Sequence, residues 1–126
     1  MKILENLFYT ESHEWIAVEG EMVTIGITDY AQDALGEVVY VEMPEVDTTY
    51  EKDDVLAEIE SAKAASEVFA PFDIEVTEIN EDLEDAYEKI NEVPYESWFI
   101  KGKLLNEGQL SELMNAKGYE TFIKEV

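Results

Sequence analysis

Turn residues cut this chain into apolar runs of strand length at short intervals, and that spacing favours antiparallel β-structure. In "HEWIAVEGEMVTIGI" (13–27) two such runs flank Glu19-Gly20, a hairpin turn. Within the second run Val23, Ile25 and Ile27 alternate with Thr24 and Gly26, as a half-buried strand requires. "EVVYVEM" (37–43) is a further strand, closed by Pro44. From Val55 the pattern is strand, turn, strand: "VLAEIE", "SAKA", "ASEVFAPF", followed by "IEVTEIN" and later by "WFIKGKL".

Helical periodicity appears in two places. In "TDYAQDALG" Thr28 or Asp29 can cap a short helix, Ala31, Ala34 and Leu35 share a face, and Gly36 can end it. Near the C-terminus Leu110, Leu113 and Met114 form one apolar stripe. After a break at Gly118, Tyr119, Phe122, Ile123 and Val126 form another. Residues 45 to 54 read as a polar, acidic stretch with a turn at Asp53-Asp54, and "NEDLEDAYEKINEVPYES" (80–97) as a charged excursion with one helical turn. The expectation is a mainly-β (α+β) single domain over residues 1–126 with a lateral helical tail.

Composition then removes whole classes of function. There is no cysteine, which excludes disulfides, zinc–thiolate sites, iron–sulfur clusters and thiol nucleophiles. His13 is the only histidine, so a His-based metal site or catalytic triad has too few parts. No phosphate-binding glycine motif and no calcium-loop spacing occurs. A formal charge of −23 without any arginine repels nucleic acid and anionic membrane. The start of the chain shows neither a signal peptide nor a transit peptide, and no run is long enough to span a bilayer. The expectation is a cytoplasmic protein of a bacterium or archaeon, steered towards basic partners.

One residue stands apart from the acids. Lys63 occupies the tip of the expected hairpin, with Ser61, Ala62, Ala64, Ala65 and Ser66 leaving steric room around it. No carboxylate is adjacent in sequence, so nothing local pins the side chain in an ion pair. Glu60 and Glu67 stand further out, where a modifying enzyme can read them. From the residues alone Lys63 is accessible, and no modification is specified.

"ESAKAASEVFAP" resembles the lipoylation segment of the glycine cleavage system H-protein family, whose pattern is close to E-S-x-K-A-x-S-(D/E). "YTESHEWIAVEGEMVTIGITDYAQDALGEVVYVEMPEV" is similar to that family's N-terminal half, including S-H-E-W, G-I-T-D-x-A-Q and L-G-E-V-V. "INEVPY", "WFIK" and "LSELMNAKGYETF" resemble the distal half more loosely.

The resemblance implies a flattened β-sandwich of the lipoyl-domain type, a barrel-sandwich hybrid with short lateral helices and a C-terminal helix. It also implies a monomeric, non-catalytic carrier bearing lipoic acid in amide linkage on Lys63, attached by a lipoate ligase or an octanoyltransferase. Its clients would be the pyridoxal-phosphate-dependent glycine decarboxylase (P), the tetrahydrofolate-dependent aminomethyltransferase (T) and dihydrolipoamide dehydrogenase (L). The sulfur chemistry would then belong to the cofactor. Positions matching the family's arm cleft are Ser12, Glu14, Ile27, Ala31, Leu35, Ala64 and Glu67. By that match Ile27 and Leu35 cover the aliphatic arm, and Glu14 and Glu67 face its terminal amine. Read from the residues alone, Ile27 and Leu35 are core, both acids are solvated, and His13 and Trp15 are structural.

Three segments depart from the pattern. Ile74 in "PFDIEV" stands where the family has a turn glycine, and a β-branched residue is a poor fit to positive φ. "EDAYEK" replaces the family's D-N-P, and "EVPYESW" is one residue shorter than D-P-Y-G-x-G-W and lacks its glycines. They leave open an H-like lipoyl carrier for another system, either heterodisulfide-reductase-like sulfur oxidation or a lipoyl relay. An unmodified interaction protein of the same fold is a third reading.

Overall fold

The computed structural model describes residues 1–125. Nine strands fall in two sheets: β1 (Phe8–Tyr9), β2 (Glu14–Glu19), β3 (Met22–Ile27), β4 (Val38–Glu42), β5 (Thr48–Tyr50), β6 (Val55–Ser61), β7 (Ala65–Phe69), β8 (Ile74–Ile79) and β9 (Ile100–Leu104). The larger sheet runs β1-β2-β3-β9-β8-β5 and the smaller β4-β6-β7. Neighbours in both are antiparallel. Neither sheet closes on itself, and their inner faces pack together. Ile16, Val23, Ile25 and Ile100 of the larger sheet share one core with Val41, Leu56, Ile59 and Val68 of the smaller.

The β2–β3 hairpin turns at Gly20-Glu21, since Glu19 pairs with Met22; the turn lies one residue later than expected. Gly26, opposite Trp15, has no room for a side chain: a Cβ there would stand 2.6 Å from the indole. The ring lies flat over the glycine and its Nε1 donates to the Pro94 carbonyl at 3.1 Å. Trp15 is thus structural, as expected.

Helix α1 (Asp29–Leu35) matches its sequence signals. Thr28 Oγ1 accepts from the Ala31 amide at 3.2 Å, and Gly36 ends the helix at φ 81° and ψ −157°. That backbone region is essentially open to glycine alone. The 80–97 excursion holds a 3₁₀ turn (Glu81–Glu84) and the short α2 (Glu88–Glu92). Ile74, the expected site of an altered turn, is the fully buried first residue of β8 and lies outside the positive-φ region.

The C-terminal reading needs correction. Leu110 lies in a 3₁₀ segment (Glu107–Glu112), and Met114 instead makes an isolated bridge to Tyr9. Gly118 is no break. It lies in the first turn of α3 (Ala116–Lys124), where its amide donates to the capping Asn115 Oδ1 at 2.8 Å. Val126 lies outside the described residues. Tyr119, the buried residue of α3, stacks on Tyr9 with centroids 4.6 Å apart, in a second cluster with Leu7 and Trp15. No helix among the described residues is long and apolar enough to cross a membrane.

Candidate functional site

Lys63 lies in the turn that joins β6 to β7, and Ser61 builds that turn. Ser61 N donates to the Ala64 carbonyl at 2.8 Å, and Ser61 Oγ accepts from the Ala64 amide at 3.0 Å. Ala62 N donates to the Glu37 carbonyl at 2.9 Å, which ties the tip to the segment after α1. The tip is therefore rigid in backbone while the lysine is exposed. The ion pairs among the described residues are Lys52–Glu112 and Lys124–Glu120, so Lys63 is free of one. Its stem lies beside Gly36, where a Cβ would stand 3.1 Å from Lys63 Cε.

At the foot of this hairpin opens a cleft of about 230 Å³ between α1, β7 and the start of β2. Ser12, Glu14, Ile27, Ala31, Leu35 and Glu67 all line it. Ala64 does not; its backbone closes the Lys63 turn instead. Ile27 and Leu35 are buried core residues and also form the cleft's apolar wall. Sequence reasoning missed His13, Ala34, Ile59, Ala65, Ser66 and Val68, which complete the lining. The period-2 pattern of β7 signals which of its residues face inwards, but no local pattern says which cavity they border.

The two acids differ. Glu67 is exposed, as expected from the residues alone. Glu14 is 1% exposed, contrary to that expectation. Thr10 Oγ1 donates to its Oε1 at 2.5 Å, and the Phe69 amide donates to its Oε2 at 3.4 Å. Desolvation outweighs these two bonds and pushes the carboxyl up to about 7. Glu14 also borders a second cleft of about 310 Å³ that contains Lys52 and Asp53, so it stands between two openings.

His13, expected to be structural, also lines the cleft. It takes φ 70°, and its ring packs on Tyr30, Tyr119 and Phe122. The Tyr119 hydroxyl is hydrogen-bonded to His13 Nδ1 at 2.8 Å and to Thr28 Oγ1 at 2.7 Å. Burial lowers the His13 pKa and raises that of Tyr119 to about 12, so the pair is neutral at pH 7. His13 thus joins the cleft wall to α3 and to the cap of α1. Glu60 is exposed on β6, opposite Ala65 and Tyr40.

Such a site can hold a flexible aliphatic group rooted at Lys63. β7 carries the cleft from Ala65 to Val68, a span of roughly 10 Å at about 3.3 Å per residue. Ile27, Ala31, Leu35, Ile59 and Val68 give the cleft an apolar wall, and Glu14 adds a buried carboxyl that suits an amine. The donor set fits a lysine-linked arm with a cationic tip.

Comparison with known proteins agrees in fold and in sequence. The family model described as "Glycine cleavage H-protein" matches residues 7–126. A probable glycine cleavage system H protein of Pyrococcus furiosus is 56% identical over 98% of this chain and 93% of its own length. The glycine cleavage system H protein of Staphylococcus carnosus is 48% identical over 99% of this chain and all of its own. The crystal structure of a glycine cleavage system H protein from Mycobacterium marinum superposes with a TM-score of 0.88 at 32% identity, covering 97% of this chain and 99% of that one. Two unclosed sheets, an unpaired lysine on a hairpin tip and full-length likeness to these proteins lead to one conclusion: the chain belongs to the glycine cleavage H-protein family.

Proposed function

We propose that this chain is the lipoyl carrier of a glycine cleavage system, with Lys63 as the attachment residue and residues 1–126 acting as one carrier domain. The observation that carries the reading is the exposed, unpaired Lys63 on a turn two residues before Ala65, which lines a cleft bordered also by buried Glu14. When bound, lipoic acid would supply a dithiolane whose S–S bond is reduced as one sulfur becomes the carrier of an aminomethyl group between glycine and tetrahydrofolate.

The chain's own residues supply the rest. Lys63 anchors the arm on a rigid turn, so the reacting end is confined to a small volume at high effective concentration. Ile27, Ala31 and Leu35 exclude water from its aliphatic length. Glu14 receives a cationic amine with a carboxyl that ionises near neutral pH, and Glu67 adds a second, exposed acid at the mouth. Ser12 adds a hydroxyl at the same end. The partners of this reading are the glycine decarboxylase, the aminomethyltransferase, dihydrolipoamide dehydrogenase and a lipoate ligase or octanoyltransferase. Its setting is the cytoplasm of a bacterium or archaeon, and a monomer suits visits to each enzyme.

The test is exchange of labelled bicarbonate into glycine by the host's own glycine decarboxylase. Lipoylated wild-type chain should stimulate exchange, and Lys63→Arg should not. Absence of stimulation by the lipoylated chain, while a control H protein stimulates, would contradict the reading and favour a carrier for another system.

A further inference from the structure

Helix α1 is a ridge between two depressions. Its Ala31, Ala34 and Leu35 side lines the arm cleft, and its Gln32, Asp33 and Gly36 side lines a larger groove of about 730 Å³. The far wall of that groove is α2 with Tyr87, and its base is the start of β4. Lys63 stands beside Gly36 of the groove and is tied through Ala62 to Glu37, and its hairpin continues into Ala65 of the arm cleft.

The groove is built rather than incidental. Asn91 Nδ2 donates to the Gly36 carbonyl at 2.7 Å and to Gln32 Oε1 at 3.1 Å, while its Oδ1 accepts from Val38 N at 3.0 Å. One side chain thereby fixes α1, α2 and β4 relative to one another. The surface over this frame is apolar where solvent should favour polar groups: Val39 and Tyr40 are 47% and 45% exposed on β4, an outer strand of its sheet. Tyr87 packs edge-on against Tyr40. Around them stand four exposed carboxylates, Asp33, Glu37, Glu88 and Glu92, none in an ion pair among the described residues.

We propose that this groove docks the enzyme that acylates Lys63, through a segment of that enzyme carrying Lys or Arg around an apolar side chain; the proposal rests on the carrier reading above. The apolar centre with an acidic rim calls for the opposite charge. A second copy of this chain, at net charge −23, is repelled from it, as is an anionic membrane. Position selects the acylating enzyme. An enzyme that acts on the arm's tip can work at a distance from the hairpin, whereas acylation needs a catalytic centre at Nζ itself. In that step deprotonated Nζ attacks the acyl carbon of a lipoyl adenylate. The amide C–N bond forms, the C–O bond to AMP breaks, and the surplus proton on nitrogen is released.

The experiment is acylation of the unmodified full-length chain by the host's lipoate ligase with ATP and lipoate, followed by intact mass. Glu88→Lys/Glu92→Lys reverses the rim; Glu19→Lys/Glu21→Lys makes the same charge change at the β2–β3 turn, the end of β3 remote from α1. The rim variant should lose about tenfold in kcat/KM at low salt with kcat nearly unchanged, and the turn variant less than about twofold. Val39→Ser, at an exposed bulge position, should lose about threefold with every charge intact. Equal rates for the rim and turn variants would overturn the groove alone, with Lys63 still acylated. Failure of wild-type chain to be acylated by this ligase and by the host's octanoyltransferase would overturn the carrier reading together with it.

Discussion

Burial holds the Glu14 carboxyl at about 7 against an ordinary 4.5, and this has a measurable consequence for stability. The folded chain keeps its proton over a range in which the unfolded chain has lost it. Stability from this group is therefore full below about 4.5 and falls as pH rises to about 7. The loss is about 3 kcal/mol, at about 1.4 kcal/mol per pH unit. Glu14→Gln has no charge to desolvate, and it keeps both partners if its amide oxygen accepts from Phe69 N and its amide nitrogen donates to Thr10 Oγ1. The prediction is that urea melts of wild type and Glu14→Gln diverge by about that amount between pH 4.5 and 7, wild type weakening more; parallel curves would contradict it. None of this was legible in "SHEW". The sequence shows an acid at the head of a strand, and only the Thr10 loop and β7 folding over it make it buried. Lys63 is the opposite case: its small neighbours announced an accessible side chain, and their sizes needed no tertiary information.

Among elements, α3 is joined to the site through one side chain. The Tyr119 hydroxyl links His13 on the cleft wall to Thr28 at the cap of α1. Tyr119→Phe keeps the stacking on Tyr9 and removes both bonds. The expected loss is about 1–3 kcal/mol, read from the denaturation midpoint, since His13 Nδ1 and Thr28 lose a buried partner. An unchanged midpoint would show that the network does not hold the helix. The elements that sequence patterns found are those with a period or cap of their own: the β2–β3 and β6–β7 hairpins and α1. Strands β1 and β5 are two and three residues long, too short for alternation to register, and exist because neighbours pair with them. Gly118 misled as a helix break because its reason lies in the Asn115 cap, three residues earlier.

At the scale of the whole molecule, two unclosed sheets present an exposed lysine at a hairpin tip, in a field set by a net charge of −23. That combination suits the carrier role proposed above. Identity with H proteins along the full length places the fold and family, and leaves the loading of Lys63 as the claim on which the account turns. The direct measurement is intact mass, with peptide mapping, of this protein isolated from its host grown with ample lipoate. The account predicts a mass increase equal to one lipoyl group, confined to the peptide that contains Lys63 and absent from Lys63→Arg. An unmodified Lys63 in that preparation would contradict it.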